Sequence, residues 1–216
     1  MGRPPLDLSL YLVTDTILCG QFGVAATVST AVGAGATVVQ LRDVDATDDE
    51  LVALGREVRA VLRGTGVPLI VNDRAHLVDT IGADGAHVGQ SDVKIAQARA
   101  LVGPTAYLGL SVQTLEHVMV ARGHAAGTLD YLGVGPVWGT ATKLDAAAPG
   151  GLDVLSQITS ASPWPCVAIG GITPERLAMV RGAGAVGVAV VSAICGQPDV
   201  AAATRTLRTG WDGTSR

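Results

Sequence analysis

The sequence predicts a single α/β domain folded as a (β/α)8 TIM barrel. Eight short apolar runs recur along the chain, segments with helical spacing lie between them, and the composition suits such units. The runs are near-continuous in apolar character, without polar alternation. That is the signature of strands buried on both faces of a parallel sheet. Aromatic residues make up only 3% of the chain, so the core must come from Ala, Val, Leu and Ile, with 28 glycines for turns and close approaches.

The strand runs fall, in order, at Leu8 to Val13, Thr37 to Leu41, Val67 to Val71, Gly85 to Val88, Ala106 to Leu110, Tyr131 to Val134, Cys166 to Ile169 and Val186 to Val191. Between the second and third, Leu51, Leu54, Val58, Val61 and Leu62 share one helical face. Thr47 followed by Glu50 forms a capping box at its start, and Gly64 and Gly66 stop it. Between the seventh and eighth, Thr173 is the candidate N-cap and Pro174 the first helical residue of a helix ending near Gly182. An open doubly wound sheet would use the same local patterns but rarely needs eight similar units in so short a chain. No linker-like shift interrupts residues 1–216, so they read as one domain, with 209–216 expected to be a frayed tail.

Composition narrows the function classes. At 216 residues, 48% hydrophobic, the chain can bury a sizeable core. Fifteen basic and nineteen acidic residues give a net charge of −4 with no basic cluster, which argues against a nucleic-acid partner. Cys19, Cys166 and Cys195 are odd in number and far apart, which suggests free thiols in a reducing compartment. No signal-peptide stretch follows Met1, and no run approaches the ~20 apolar residues of a membrane span, so a cytoplasmic protein is expected.

In a barrel the site lies at the C-terminal ends of the strands. Gln40 and Arg42 end the second strand and point to the same side. Asn72-Asp73 end the third, the fourth leads to Asp92, and the fifth ends in Ser111. One or two carboxylates completed by phosphate oxygens and water are the usual magnesium environment, so Asp73 and Asp92 together favour a hard cation. The competing reading makes Asp73 an N-cap and Asp92 a turn residue. The guanidinium of Arg42 suits an anion clamp, because its fork matches phosphate oxygens.

After the sixth strand, a loop from Gly135 to Lys143 carries Thr140, Thr142 and Lys143, two hydroxyls and an ammonium suited to phosphate. Gly170-Gly171 expose backbone N–H groups after the seventh strand, and Ser192 follows the eighth, where barrels commonly hold a phosphate. His87 reads as a satisfied core residue, while His76, His117 and His124 fall on helical segments. No Ser/His/Asp or Cys/His nucleophile arrangement is apparent.

Taken in order, Gln40-Leu-Arg42, Val71-Asn72-Asp73-Arg74, His87-Val-Gly89-Gln90-Ser-Asp92, Gly109-Leu-Ser111, Gly135-Pro136 with Thr140-Ala-Thr142-Lys143, and Ile169-Gly170-Gly171-Ile172-Thr173 closely resemble the thiamine phosphate synthase family over nearly the whole chain. The resemblance implies a magnesium-assisted transferase of thiamine biosynthesis. Such an enzyme joins 4-amino-2-methyl-5-hydroxymethylpyrimidine diphosphate to 4-methyl-5-hydroxyethylthiazole phosphate and releases diphosphate. It implies that Asp73 and Asp92 bind Mg2+, and that Gln40, Arg42, Asn72, Ser111 and Lys143 hold the pyrimidine and its diphosphate. Thr140, Thr142, Gly171, Val191 and Ser192 would hold the thiazole phosphate. The catalytic load would rest on Arg42, Ser111 and Lys143, which stabilise the departing diphosphate without any protein nucleophile. The partners implied are small-molecule substrates; a homo-oligomer is left open.

One position departs from the family pattern. A lysine is usual two residues after the arginine of the second strand, whereas this chain has Val44 between Asp43 and Asp45. A lost contact to the leaving group costs about 2 to 4 kcal/mol in the transition state where nothing compensates. Two competing readings follow: a thiazole tautomerase-like barrel, against which Ser111, Lys143 and both aspartates argue, and a non-catalytic barrel that binds thiamine precursors.

Overall fold

The alternation of buried strands and amphipathic helices closes on itself. A computed structural model describes residues 4–140 and 148–213. In chain order it contains β1 (Leu10–Val13), α1 (Val24–Gly33), β2 (Val38–Leu41), α2 (Asp48–Val61), β3 (Leu69–Asn72), α3 (Val78–Ile81), β4 (Gly85–Val88) and α4 (Ile95–Val102). The second half contains β5 (Tyr107–Val112), α5 (Leu115–Ala121), β6 (Tyr131–Val134), α6 (Gly151–Ala161), β7 (Cys166–Ile169), α7 (Leu177–Gly182), β8 (Gly187–Val190) and α8 (Val200–Gly213). All eight strands pair in parallel in sequence order, and β8 returns to β1 with Leu10 opposite Val188. Each apolar run read from the sequence overlaps one of these strands, with β3 extending one residue and β5 two residues past the end of its run.

Strand alternation divides the core in two. Leu10, Leu12, Val39, Leu41, Leu69 and Val71 face outward beneath the helices, while Tyr11, Val13, Val38, Ile70, Tyr131, Val167 and Ala189 fill the barrel interior. Two glycines make room for the large interior side chains. A Cβ on Gly109 of β5 would collide with the Tyr131 ring and His87, and one on Gly133 of β6 would lie 2.9 Å from His87 Cε1.

The helices follow their sequence signals with two differences. α2 begins with the expected capping box: Thr47 Oγ1 accepts from Glu50 N, and the Glu50 carboxylate accepts from Thr47 N at 2.8 Å. Thr173 has extended backbone before Pro174, but its hydroxyl caps no backbone N–H, and a short 3₁₀ turn at Pro174–Arg176 leads into α7. The C-terminal region departs from the expected frayed tail. Thr209 to Gly213 belong to α8, because Val200, Thr204, Leu207 and Trp211 recur at helical spacing and are buried. Residues 214–216 lie outside the described residues. Among the described residues, no helix is long and apolar enough to cross a membrane.

Candidate active site

The polar strand ends line one cavity of about 480 Å³ at the C-terminal mouth of the barrel. Gln40 and Arg42 reach it from β2, Asn72 and Asp73 from β3, Asp92 from the loop after β4, and Ser111 from β5. Thr140, Gly171, Val191 and Ser192 complete the opposite side. Every site residue expected from the sequence is in this lining except Thr142 and Lys143, which lie outside the described residues.

Backbone geometry sets the two carboxylates. Asp73 stands at φ 60°, a left-handed conformation that aspartate tolerates better than most residues. It is held there by its N–H, which donates to His87 O at 2.8 Å, and by Asn72 Nδ2, which donates to Asp73 Oδ2 at 2.6 Å. Asp73 does not cap the following 3₁₀ turn; that position belongs to Arg74. Asp92 does close a turn, because its Oδ2 accepts from Gly89 N at 2.6 Å, yet it also lines the cavity. Among the described residues no cluster of three His, Cys, Asp or Glu gathers. Two carboxylates without a thiolate, beside a His87 imidazole whose ring nitrogens are engaged by Tyr131 and Ser111, suit a hard divalent ion completed by substrate oxygens and water.

Arg42 is the one lysine or arginine that lines the cavity among the described residues. Its Nη1 lies 3.7 Å from Asp15 Oδ2, and both side chains are 15% exposed. Val44 stands at the cavity rim, 59% exposed. The neighbouring acid is not aimed at a ligand: Asp43 accepts from Thr16 Oγ1 at 2.7 Å and from the backbone N–H groups of Asp45 and Ala46.

The floor of the cavity is a hydrogen-bond chain that the sequence reading did not find. Gln40 Nε2 donates to Tyr11 Oη at 2.9 Å, and Tyr11 Oη meets Tyr131 Oη at 2.7 Å. Tyr131 Oη meets His87 Nδ1 at 3.1 Å, and His87 Nε2 meets Ser111 Oγ at 2.9 Å. Burial pushes both phenols well above their ordinary pKa of 10, so they act as neutral hydroxyls. His87 is thus a satisfied core residue, as expected, and also part of the cavity wall. The available signal was parity. Tyr11 and Tyr131 share the inward face of their strands with Val13 and Gly133, and glycines stand beside the ring positions. The other histidines lie apart. His76 pairs with Asp48 at 2.8 Å, His117 lies on α5, and His124 follows the end of that helix instead of lying on it, because α5 stops at Ala121.

The side of the cavity after β7 is built on backbone. Gly170 and Gly171 stand at φ 97° and 65°. A Cβ on Gly171 would lie 2.7 Å from Trp138 Cβ and 2.9 Å from Gly139 O, so only glycine fits. Arg176 fixes this corner from behind: Nη1 donates to Gly171 O, and the guanidinium lies 4.5 Å from the Trp138 ring centroid.

Comparison with known proteins agrees across the chain. The family model described as thiamine monophosphate synthase matches residues 10–194. The thiamine-phosphate synthase of Azorhizobium caulinodans is 45% identical over 205 residues, covering 95% of each chain. That of Psychrobacter sp. is 45% identical over 200 residues, covering 93% of each. Among solved structures, thiamine phosphate pyrophosphorylase from Pyrococcus furiosus superposes with a TM-score of 0.85 at 32% identity, covering 97% of this chain and 98% of that one. A 3-hexulose-6-phosphate synthase, at 20% identity and a TM-score of 0.67, shares the fold.

Proposed function

Since the chain belongs to the thiamine monophosphate synthase family, we propose that it is a transferase that couples 4-amino-2-methyl-5-hydroxymethylpyrimidine diphosphate with 4-methyl-5-hydroxyethylthiazole phosphate. The products are thiamine phosphate and diphosphate. The observation that carries this reading is the joining of two chemically different halves in one cavity: a buried polar floor beside Arg42, and a glycine-lined corner at Gly171.

The pyrimidine would lie on the floor formed by Tyr11, Tyr131 and His87. Gln40, whose amide N–H is committed to Tyr11, would turn its carbonyl to the ring's amino group. Arg42, Asn72, Ser111 and Lys143 would hold the diphosphate. Asp73 and Asp92 would hold Mg2+, which, when bound, supplies positive charge against the diphosphate oxygens. Thr140, Thr142, Gly171, Val191 and Ser192 would bind the thiazole phosphate and aim its ring nitrogen at the reacting carbon.

Departure of diphosphate leaves a cation that the pyrimidine ring stabilises, and the thiazole nitrogen captures it; no protein nucleophile is consumed. The residues would therefore act by stabilising the leaving group and by orienting two reactants in an enclosed space. Three unpaired buried thiols accord with action in a reducing, cytoplasmic setting.

The test is to incubate the purified protein with both substrates and magnesium and to follow diphosphate and thiamine phosphate. Stoichiometric appearance of both supports the coupling. Absence of both at high enzyme concentration overturns it. Rearrangement of a thiazole carboxylate phosphate in their place would point to a tautomerase, and ligand-induced thermal stabilisation without turnover to a silent binder.

A further inference from the structure

Arg42 sits against a segment that does not itself line the cavity. Three consecutive residues after β1 contact the end of β2. Thr14, fully buried, brackets the arginine's backbone, its Oγ1 accepting from Arg42 N at 3.0 Å and lying 3.4 Å from Arg42 O. Asp15 places Oδ2 3.7 Å from Arg42 Nη1. Thr16 Oγ1 donates to Asp43 Oδ2 at 2.7 Å. Asp15 is itself anchored, because its Oδ1 accepts from Leu18 N at 3.0 Å and its carbonyl from Cys19 N at 2.9 Å.

From these contacts we infer that Asp15 is a positioning residue that aims the Arg42 guanidinium at the leaving group. A free arginine side chain samples many rotamers, and each must be given up before its fork can meet an anion. A carboxylate fixed behind the guanidinium removes that freedom in advance. It also attenuates the attraction Arg42 exerts on a bound diphosphate, so Asp15 gives up ground-state affinity while gaining orientation where charge develops. The arrangement matters more here than in a chain with lysine at position 44. Arg42 is the one cation lining the described cavity wall, and Val44 offers no second contact.

The inference rests on the proposed role of Arg42 as the diphosphate clamp, and the test separates the two. Asp15→Asn keeps an oxygen for Leu18 N while removing the charge beside Nη1. Its steady-state kinetics, and those of Arg42→Lys and the double variant, form a double-mutant cycle on the magnesium-loaded enzyme. Asp15→Asn should lower kcat about tenfold while the KM for the pyrimidine diphosphate stays level or falls. Added to Arg42→Lys, it should change kcat by less than about twofold, since the aimed group is already lost. Equal losses in both backgrounds, or an Asp15→Asn enzyme indistinguishable from the parent, would overturn the positioning role while leaving the clamp intact. An Arg42→Lys enzyme with parental kinetics would instead sink the clamp itself. Should Asp15→Asn not fold, by thermal unfolding, Asp15→Ser carries the same cycle.

Discussion

Asp92 divides its carboxylate between two duties, since one oxygen closes the loop on Gly89 and the side chain still reaches the cavity. Asparagine retains an oxygen for Gly89 N but loses the charge. Asp92→Asn should therefore fold normally yet lower the coupling rate by about 10- to 100-fold and raise the magnesium concentration needed for half-maximal rate. Unchanged magnesium titration curves would remove Asp92 from the site. Val44 permits the opposite experiment. Val44→Lys adds a cation at the rim without burying it, and kcat/KM should rise by up to about tenfold, near 1.4 kcal/mol, with the magnesium requirement relaxed. A variant no better than the parent would show that Arg42 and the metal already suffice. At this scale the sequence revealed the polar strand ends, because a charged residue after a buried run is conspicuous. It concealed Asp15, whose importance comes from a spatial neighbour, and the Tyr11–Tyr131–His87 floor, whose residues read as ordinary core.

The elements were legible where one local cause dominates. Strands buried on both faces leave continuous apolar runs, and each such run overlaps a strand. α2 was equally plain, because its capping box is made by residues three apart. The end of α8 was not, since Thr209 to Gly213 include two glycines and a threonine, poor helix formers, and are kept helical by tertiary packing of Trp211. The α2 cap yields a stability prediction with a pH signature. Glu50 is held below its ordinary value of 4.5, chiefly by accepting the Thr47 backbone N–H. A depressed folded pKa means that this contribution is complete above the unfolded value and is lost as pH falls through the folded one. Thr47→Ala should cost about 1 kcal/mol at neutral pH in urea unfolding, and the difference from the parent should shrink as the medium is acidified below about pH 4. A constant difference would mean that the 2.8 Å bond from the Thr47 hydroxyl to the Glu50 carboxylate contributes nothing, since alanine keeps the backbone N–H.

For the whole molecule, α8 is the element that completes the helical layer, since it packs on both α1 and α7 and reaches β1. Trp211, 3% exposed, lies beneath the Arg181 guanidinium at 4.1 Å, and Arg181 also donates to its carbonyl. Trp211→Ala should destabilise the fold by about 3 to 5 kcal/mol, measured by urea unfolding, while the coupling rate per folded molecule stays near that of the parent. A variant as stable as the parent would mean that the barrel does not depend on this seal.

Gly109 and Gly133 extend the whole-molecule view into the barrel. Because Tyr131 and His87 occupy the space where those two glycines lack a Cβ, the height of the cavity floor is written into residues that offer a ligand no functional group. The two positions fix where the Tyr131 and His87 rings stand without presenting a side chain of their own. A larger residue at either place would have to displace the Tyr131 or His87 ring, and so move the floor on which the proposed pyrimidine rests.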